Sequence, residues 1–202
     1  MHQSDIINQV IATRAYGSYL EIGVLDPAGN FDLVQCKLKH GVDPAPLKPC
    51  TFVMTSDEFF RSARPPGQMY DLIFIDGLHL QDQVLRDVRN SLDCLSAGGT
   101  ILLHDCNPKA KLRQLEHKVP GHIWNGDVWK AVVRIRATRD DLVVITTNVA
   151  TGMTALWRGH QEPLTGVPAE LDYAFLAGNR RRLLNLVPVD KFMAAIAARK
   201  DC

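Results

Sequence analysis

The chain has 202 residues, 46% of them apolar, which suits one α/β domain with a substantial core rather than two domains. Its net charge of +1 supplies no bulk field to recruit nucleic acid or an acidic membrane. No apolar run is long enough for a transmembrane helix, and the start MHQSDIINQV lacks the basic-then-apolar profile of a secretory signal. The cysteines (Cys36, Cys50, Cys94, Cys106, Cys202) show no CxxC spacing and read as reduced thiols in a cytoplasm.

In chain order, SDIINQVIATR places Ile6, Ile7, Val10 and Ile11 on one helical face behind a Ser4 cap. SYLEIGV is the first strand. A loop with Pro27 and Gly29 leads to a short helix near Phe31–Cys36. KHGVDPAP gives a second strand ending at Asp43, stopped by Pro44 and Pro46, and CTFVM a third. SDEFFRSA opens a helix capped by Ser56 or Asp57. YDLIFID, a nearly unbroken apolar run, is a fourth strand of the doubly covered parallel kind. QDQVLRDVRNSLDCL has helical period and ends in a glycine cap at AGG, and TILLHD is the fifth strand. This alternation predicts a Rossmann-like, doubly wound, mostly parallel sheet. NGDVWKAVVRIRA is a helix from Asp127. DDLVVITT and MTALWRG form an antiparallel hairpin around Asn148 to Gly152, and LDYAFLAGNRRRLLNLV and KFMAAIAARK are helical. Residues 107–125 are the least regular stretch, suited to a lid or substrate loop.

Ligands of open α/β sheets sit beyond the carboxyl ends of the strands, so acids ending apolar runs are site candidates. Glu21 and Gly23 end the first strand without a GxGxxG fingerprint. A carboxylate there repels a diphosphate and suits a cationic amino group. Asp43 follows Glu21 by 22 residues, a spacing at which an acid accepts from ribose hydroxyls. Ribose and an ammonium group without phosphate describe S-adenosylmethionine. The bland alternatives are a surface carboxylate for Glu21 and a turn-forming aspartate for Asp43.

LEIG, GVDP, DLIFIDGLH and GGTILLHD, in this order, resemble class I S-adenosylmethionine-dependent methyltransferases, over roughly residues 15–160 of a single domain spanning 1–202. The antiparallel C-terminal hairpin fits that fold. The resemblance implies that Glu21 and Gly23 hold the methionine end, Asp43 the ribose, and Ser56 and Asp57 the adenine edge, with Asp76 also at the cofactor. Members often carry a second glycine close behind the first, whereas here Pro27 and Ala28 precede Gly29.

Asp76 ends the fourth strand, His79 follows it, and Asp105 ends the fifth beside His104. On neighbouring strands, Asp76 and Asp105 would share one hard divalent cation, magnesium by preference, and His79 would take a proton from the acceptor. The pattern is similar to metal-dependent sugar O-methyltransferases, including those of mycobacterial polymethylated-polysaccharide assembly. In that comparison the second acid of the fifth-strand pair falls on His104, or on Cys106 or Asn107. The expected metal ligands are Asp76, His104 and Asp105, with Asp76 and His79 catalytic. Asn107, Asn125, Asp127 and Trp129 are the expected contacts of a small saccharide or glycosylated metabolite, Trp129 stacking on a sugar face. Alternatively, Asp127 caps a helix whose face carries Trp129. A catechol-type acceptor, or a binding protein without catalysis, is the competing reading. Arg180 to Arg182 read as a solvated helix face, and the C-terminal helices with Val143 to Thr146 as the seam of a homodimer.

Overall fold

The structure, a computed structural model, describes residues 1–149 and 151–199. Cys202, the end of the expected tail helix (Lys200) and Ala150 of the expected hairpin turn lie outside the described residues. Four parallel strands, β1 (Ser18–Ile22), β2 (Leu38–Val42), β3 (Tyr70–Ile75) and β4 (Leu95–Leu103), share a sheet with β5 (Leu142–Thr147), β6 (Met153–Arg158) and β7 (Leu186–Val187). The order is β2-β1-β3-β4-β6-β5-β7. β6 runs antiparallel to both β4 and β5, as the expected hairpin requires. Helices cover both faces: α1 (Gln3–Arg14), α2 (Ser56–Glu58), α3 (Gln81–Leu92), α4 (Val128–Thr138), α5 (Tyr173–Leu184) and α6 (Val189–Ala198). Among the described residues, no helix is long and apolar enough to cross a membrane.

Strand alternation divides the core in two. Leu20, Ile73, Ile75 and Leu103 pack with Val84, Val88, Trp129, Val132 and Leu183 from α3, α4 and α5. Tyr19, Leu72, Phe74 and Leu102 pack on the opposite face with Ile6, Ile7 and Val10 of α1 and Phe192 and Ile196 of α6. The sheet is buried on both sides, which is why YDLIFI carries so little polarity.

Several local expectations are corrected. The cap of α1 is His2, whose ring accepts from the Ser4 N–H while Asp5 accepts from the His2 N–H; Ser4 lies inside the first turn. CTFVM makes a single bridge, Val42 to Phe52, with Phe52 N and Met54 N donating to the Gly41 and Asp43 carbonyls, and Val53 is turned to solvent with nothing to bury against. YDLIFI and TILL are therefore β3 and β4. Thr55 caps α2, with Glu58 closing the capping box, in place of Ser56 or Asp57. α3 ends at Leu92 with Asp93 as its cap, and Gly98 and Gly99 belong to β4, near an irregularity in its pairing with β3. Asn185, left-handed at φ 48°, ends α5, so Leu186 and Val187 form β7. β7 pairs with Thr146 and Thr147, so the strand expected at a dimer seam is internal there.

Candidate active site at the carboxyl ends of the strands

The cofactor end is built on β1. Glu21 points to the same face as Tyr19 and is 1% exposed. Its Oε2 accepts from the Tyr19 hydroxyl at 2.5 Å and from Asn30 Nδ2 at 2.9 Å. Burial pushes the Glu21 carboxyl up to about 7, against the two hydrogen bonds that favour its charged form. Glu21 is thus a buried acid rather than a surface carboxylate. Asn30 Oδ1 is buried beside it without a partner. An acid short of counter-charge next to an unpaired carbonyl oxygen fits a ligand ammonium group. Gly23 has φ 90°, and a Cβ there would lie 2.3 Å from the Asp76 carbonyl oxygen, so this glycine lets β1 close on β3. Two residues on, Leu25 takes the left-handed conformation (φ 47°) without a glycine.

The carboxylate of Asp43 ties this end together, one oxygen accepting from Leu25 N and the other from Ala45 N, both at 2.8 Å. The turn-forming role is therefore present. Ser56 donates to Asp87 Oδ1 at 2.6 Å, and Asp57 meets Arg86 at 3.6 Å, so both residues expected at the adenine edge are braced on α3. Asp87 is buried there, which raises its carboxyl to about 6.

The catalytic candidates converge where β3 and β4 end. His104 Nδ1 donates to Asp76 Oδ1 at 3.0 Å, and His79 Nε2 reaches the same oxygen at 3.3 Å. His79 Nδ1 lies 3.3 Å from both Asp105 Oδ2 and the Trp124 carbonyl oxygen. Burial alone would raise the Asp76 carboxyl, but the charge of His104 and hydrogen bonds from both imidazoles hold it at about 2. Burial works against charge on the imidazoles too, yet the aspartates overcome it, raising His79 and carrying His104 to about 10. Asp105 holds its carboxylate here from a left-handed residue, φ 59°, and Asn125 Nδ2 donates to its Oδ1 at 2.8 Å.

Ligand atoms of Asp76, His79 and Asp105 lie within 4.8 Å of one another, and Asn125 Oδ1 is buried without a partner. This donor set fits a divalent cation, with the imidazole as its softer member. His104, expected as a ligand, has both ring nitrogens engaged, Nε2 lying 3.2 Å from Thr151 Oγ1. Cys106 is fully buried, and burial lifts its thiol to about 12, so it stays a neutral thiol.

Three of the expected acceptor contacts are structural instead. Trp129 is wholly buried in the core, its Nε1 donating to Gln114 at 3.1 Å, because it faces the sheet from α4. Asp127 stands at the N-cap position of α4, as the alternative reading had it, but its side chain makes no cap bond there; its Oδ1 instead accepts from Gln81 N at 2.6 Å, at the start of α3. Asn107 is fully buried between Asn148 and Arg180. Only Asn125 reaches the acid cluster. The aromatic side chain at the site is Trp124, which sequence reasoning passed over in favour of Trp129; its position inside the irregular 107–125 loop was the available signal. Arg180, read as solvated, reaches inward to the Pro108 carbonyl at 2.7 Å.

Residues 37–106, from just before β2 to just after β4, match the sequence profile of a family described as a methyltransferase domain. No curated protein matches the chain by sequence. Among solved structures, the O-methyltransferase TomG of Streptomyces achromogenes, involved in tomaymycin synthesis and solved with SAM, is similar at TM-score 0.56 and 14% identity, over 77% of this chain and 79% of TomG. The Podospora anserina methyltransferase PaMTH1, bound to SAH, is similar at TM-score 0.54 and 16% identity, over 78% of each chain. An O-methyltransferase of Bacillus cereus, also with SAH, is similar at TM-score 0.53 and 13% identity, over 77% of this chain and 80% of the other. The methyltransferase-domain match covers about a third of the chain, and the fold as a whole is that of class I methyltransferases.

Proposed function

We propose that the protein is an S-adenosylmethionine-dependent O-methyltransferase acting on a small hydroxylated acceptor, a saccharide or glycosylated metabolite. The observation that carries the reading is the convergence of Asp76, His79 and Asp105 at the strand ends, one strand away from the buried acid Glu21. The methyltransferase-domain match and the SAM- or SAH-bound solved neighbours support the cofactor. Glu21 would hold the cofactor ammonium and Asp43 its ribose. Asp76, Asp105 and Asn125 Oδ1 would hold a hard divalent cation such as magnesium, leaving His79 free; when bound, it would supply charge that stabilises an acceptor alkoxide. His79 takes the hydroxyl proton as neutral imidazole, a form its aspartate neighbours disfavour, so activity climbs with pH above the ordinary histidine range.

A phenolic acceptor is the second reading, favoured by an apolar rim: Trp124 lies over His79, and Leu78 and Ile123 are 52% and 53% exposed. Methyl transfer from labelled cofactor to a panel of sugars and catechols, with and without chelator, tests both. Transfer to sugars supports the first, transfer to catechols alone the second, and labelled cofactor turned over on neither class counts against O-methylation of small acceptors.

A further inference from the structure

The loop that leaves β4 brings together two cations that meet no carboxylate within ion-pair distance among the described residues: Lys109, and Arg180 from α5. Arg180 Nη1 donates to Asn107 Oδ1 and, at 2.7 Å, to the Pro108 carbonyl oxygen; its guanidinium lies 5.8 Å from the Tyr173 ring centroid. Lys109 Nζ donates to Asn148 Oδ1, which also accepts from Asn107 Nδ2 at 2.8 Å. The two cations therefore hold one pair of side-chain amides from both ends. Amide oxygens solvate the charges without neutralising them, and burial together with the charge of Arg180 makes Lys109 easier to deprotonate. The rest of the 107–125 loop adds Lys111, Arg113 and Lys118 against a single acid, Glu116.

The pair is joined to the catalytic cluster by a continuous chain of contacts. Asp76 accepts from His104, His104 Nε2 meets Thr151 Oγ1 at 3.2 Å, and the Thr151 carbonyl accepts from Asn107 N at 2.7 Å. Lys109 follows Asp105 by four residues, at most about 14 Å of extended chain. An acceptor whose hydroxyl lies at Asp105 spans that upper limit with about ten bonds, the length of a disaccharide-sized molecule.

We propose that Lys109 and Arg180 form an oxyanion subsite for the methyl acceptor, so that the acceptor carries a carboxylate or phosphate besides the hydroxyl that is methylated. Arg180 supplies planar donors fixed by Asn107 and Pro108, and Lys109 a mobile point charge at the rim. This names the acceptor class and rests on the methyltransferase reading.

The test is calorimetric titration of inorganic phosphate and, separately, benzoate into the full-length protein, with chelator present and ionic strength fixed. Saturable one-site binding of at least one anion is expected, weakened about fivefold or more in Lys109→Gln, since a charge-assisted contact is lost. Lys37→Gln, at the amino end of β2 on the opposite edge of the sheet, removes the same charge and leaves the affinity unchanged; the anion that binds more tightly distinguishes phosphorylated from carboxylated acceptors. Absence of saturable binding, or equal affinities in Lys109→Gln and the parent, overturns the subsite. S-adenosylhomocysteine is titrated into the same preparations. Failure there with Lys109-dependent anion binding retained removes the methyltransferase reading and leaves the anion site.

Discussion

Trp124 lies stacked on His79, ring centroids 4.9 Å apart and planes inclined by 30°, while its Nε1 donates to the Leu115 carbonyl oxygen at 2.7 Å. The irregular loop after β4 thereby fixes the orientation of the imidazole that meets both Asp76 and Asp105. Trp124→Ala should lower kcat about tenfold or more with little change in cofactor affinity, and Trp124→Phe should restore part of it, because the aromatic face is what positions His79. Equal losses in Ala and Phe would assign the role to the indole N–H instead. His79→Ala should cost about 10²–10⁴ in rate if His79 is the base, and a loss below tenfold would remove it from that role.

Two buried acids set an unusual dependence of stability on pH. Glu21 and Asp87 are raised by burial to about 7 and about 6, from ordinary values near 4.5 and 3.8. Between the ordinary and the raised values the folded protein binds more protons than the unfolded chain, so stability falls as pH rises through this window. The melting temperature should decline between about pH 5 and pH 8, and Glu21→Gln should remove part of the decline. The same substitution should weaken S-adenosylhomocysteine binding about tenfold or more, since a neutral amide cannot counter an ammonium. In the parent protein, cofactor affinity should rise with pH up to about 7, with proton release on binding. A melting temperature that climbs steadily from pH 5 to pH 8, identically in both proteins, would contradict the buried-acid account.

Two left-handed positions two residues apart, Gly23 and Leu25, behave differently from each other. Gly23→Ala places a Cβ 2.3 Å from the Asp76 carbonyl oxygen and should destabilise strongly, on the order of several kcal/mol, while displacing Asp76. Leu25 already sits at φ 47° and is 57% exposed. Leu25→Gly should therefore stabilise by up to about 1 kcal/mol, left-handed strain relieved outweighing glycine entropy. Urea unfolding of both variants reads the two effects directly.

Trp129 separates core from site. Trp129→Ala should cost about 3–5 kcal/mol in urea unfolding, and Trp129→Phe should retain methyl transfer and cofactor binding. A selective rise in acceptor KM in Trp129→Phe, with stability intact, would return Trp129 to the acceptor site.

The sheet was legible because buried parallel strands need near-continuous apolar runs, and YDLIFID and TILLHD end in the acids that the structure brings together. The antiparallel hairpin was legible from two apolar runs too close together for a helical crossover. CTFVM misled because propensity cannot show that the run pairs at one bridge only, with Val53 left in solvent. Trp129 and Asp127 misled because aromatic and acidic residues beside a loop look alike whether they face ligand or core; only helix phase in three dimensions decides. Trp124, Asn30 and Lys109 come from segments whose sequence has no periodicity to orient them, and Arg180, on a helix, sits in an RRR run that reads as solvated.

The central claim is that this cleft binds S-adenosylmethionine through Glu21 beside the Asp76, His79 and Asp105 cluster. Calorimetric titration of S-adenosylhomocysteine into the purified protein, with and without magnesium, tests it most directly. The account predicts one-site binding in the micromolar range, weakened in Glu21→Gln. No binding in either condition would contradict it and remove the cofactor on which the catalytic roles depend.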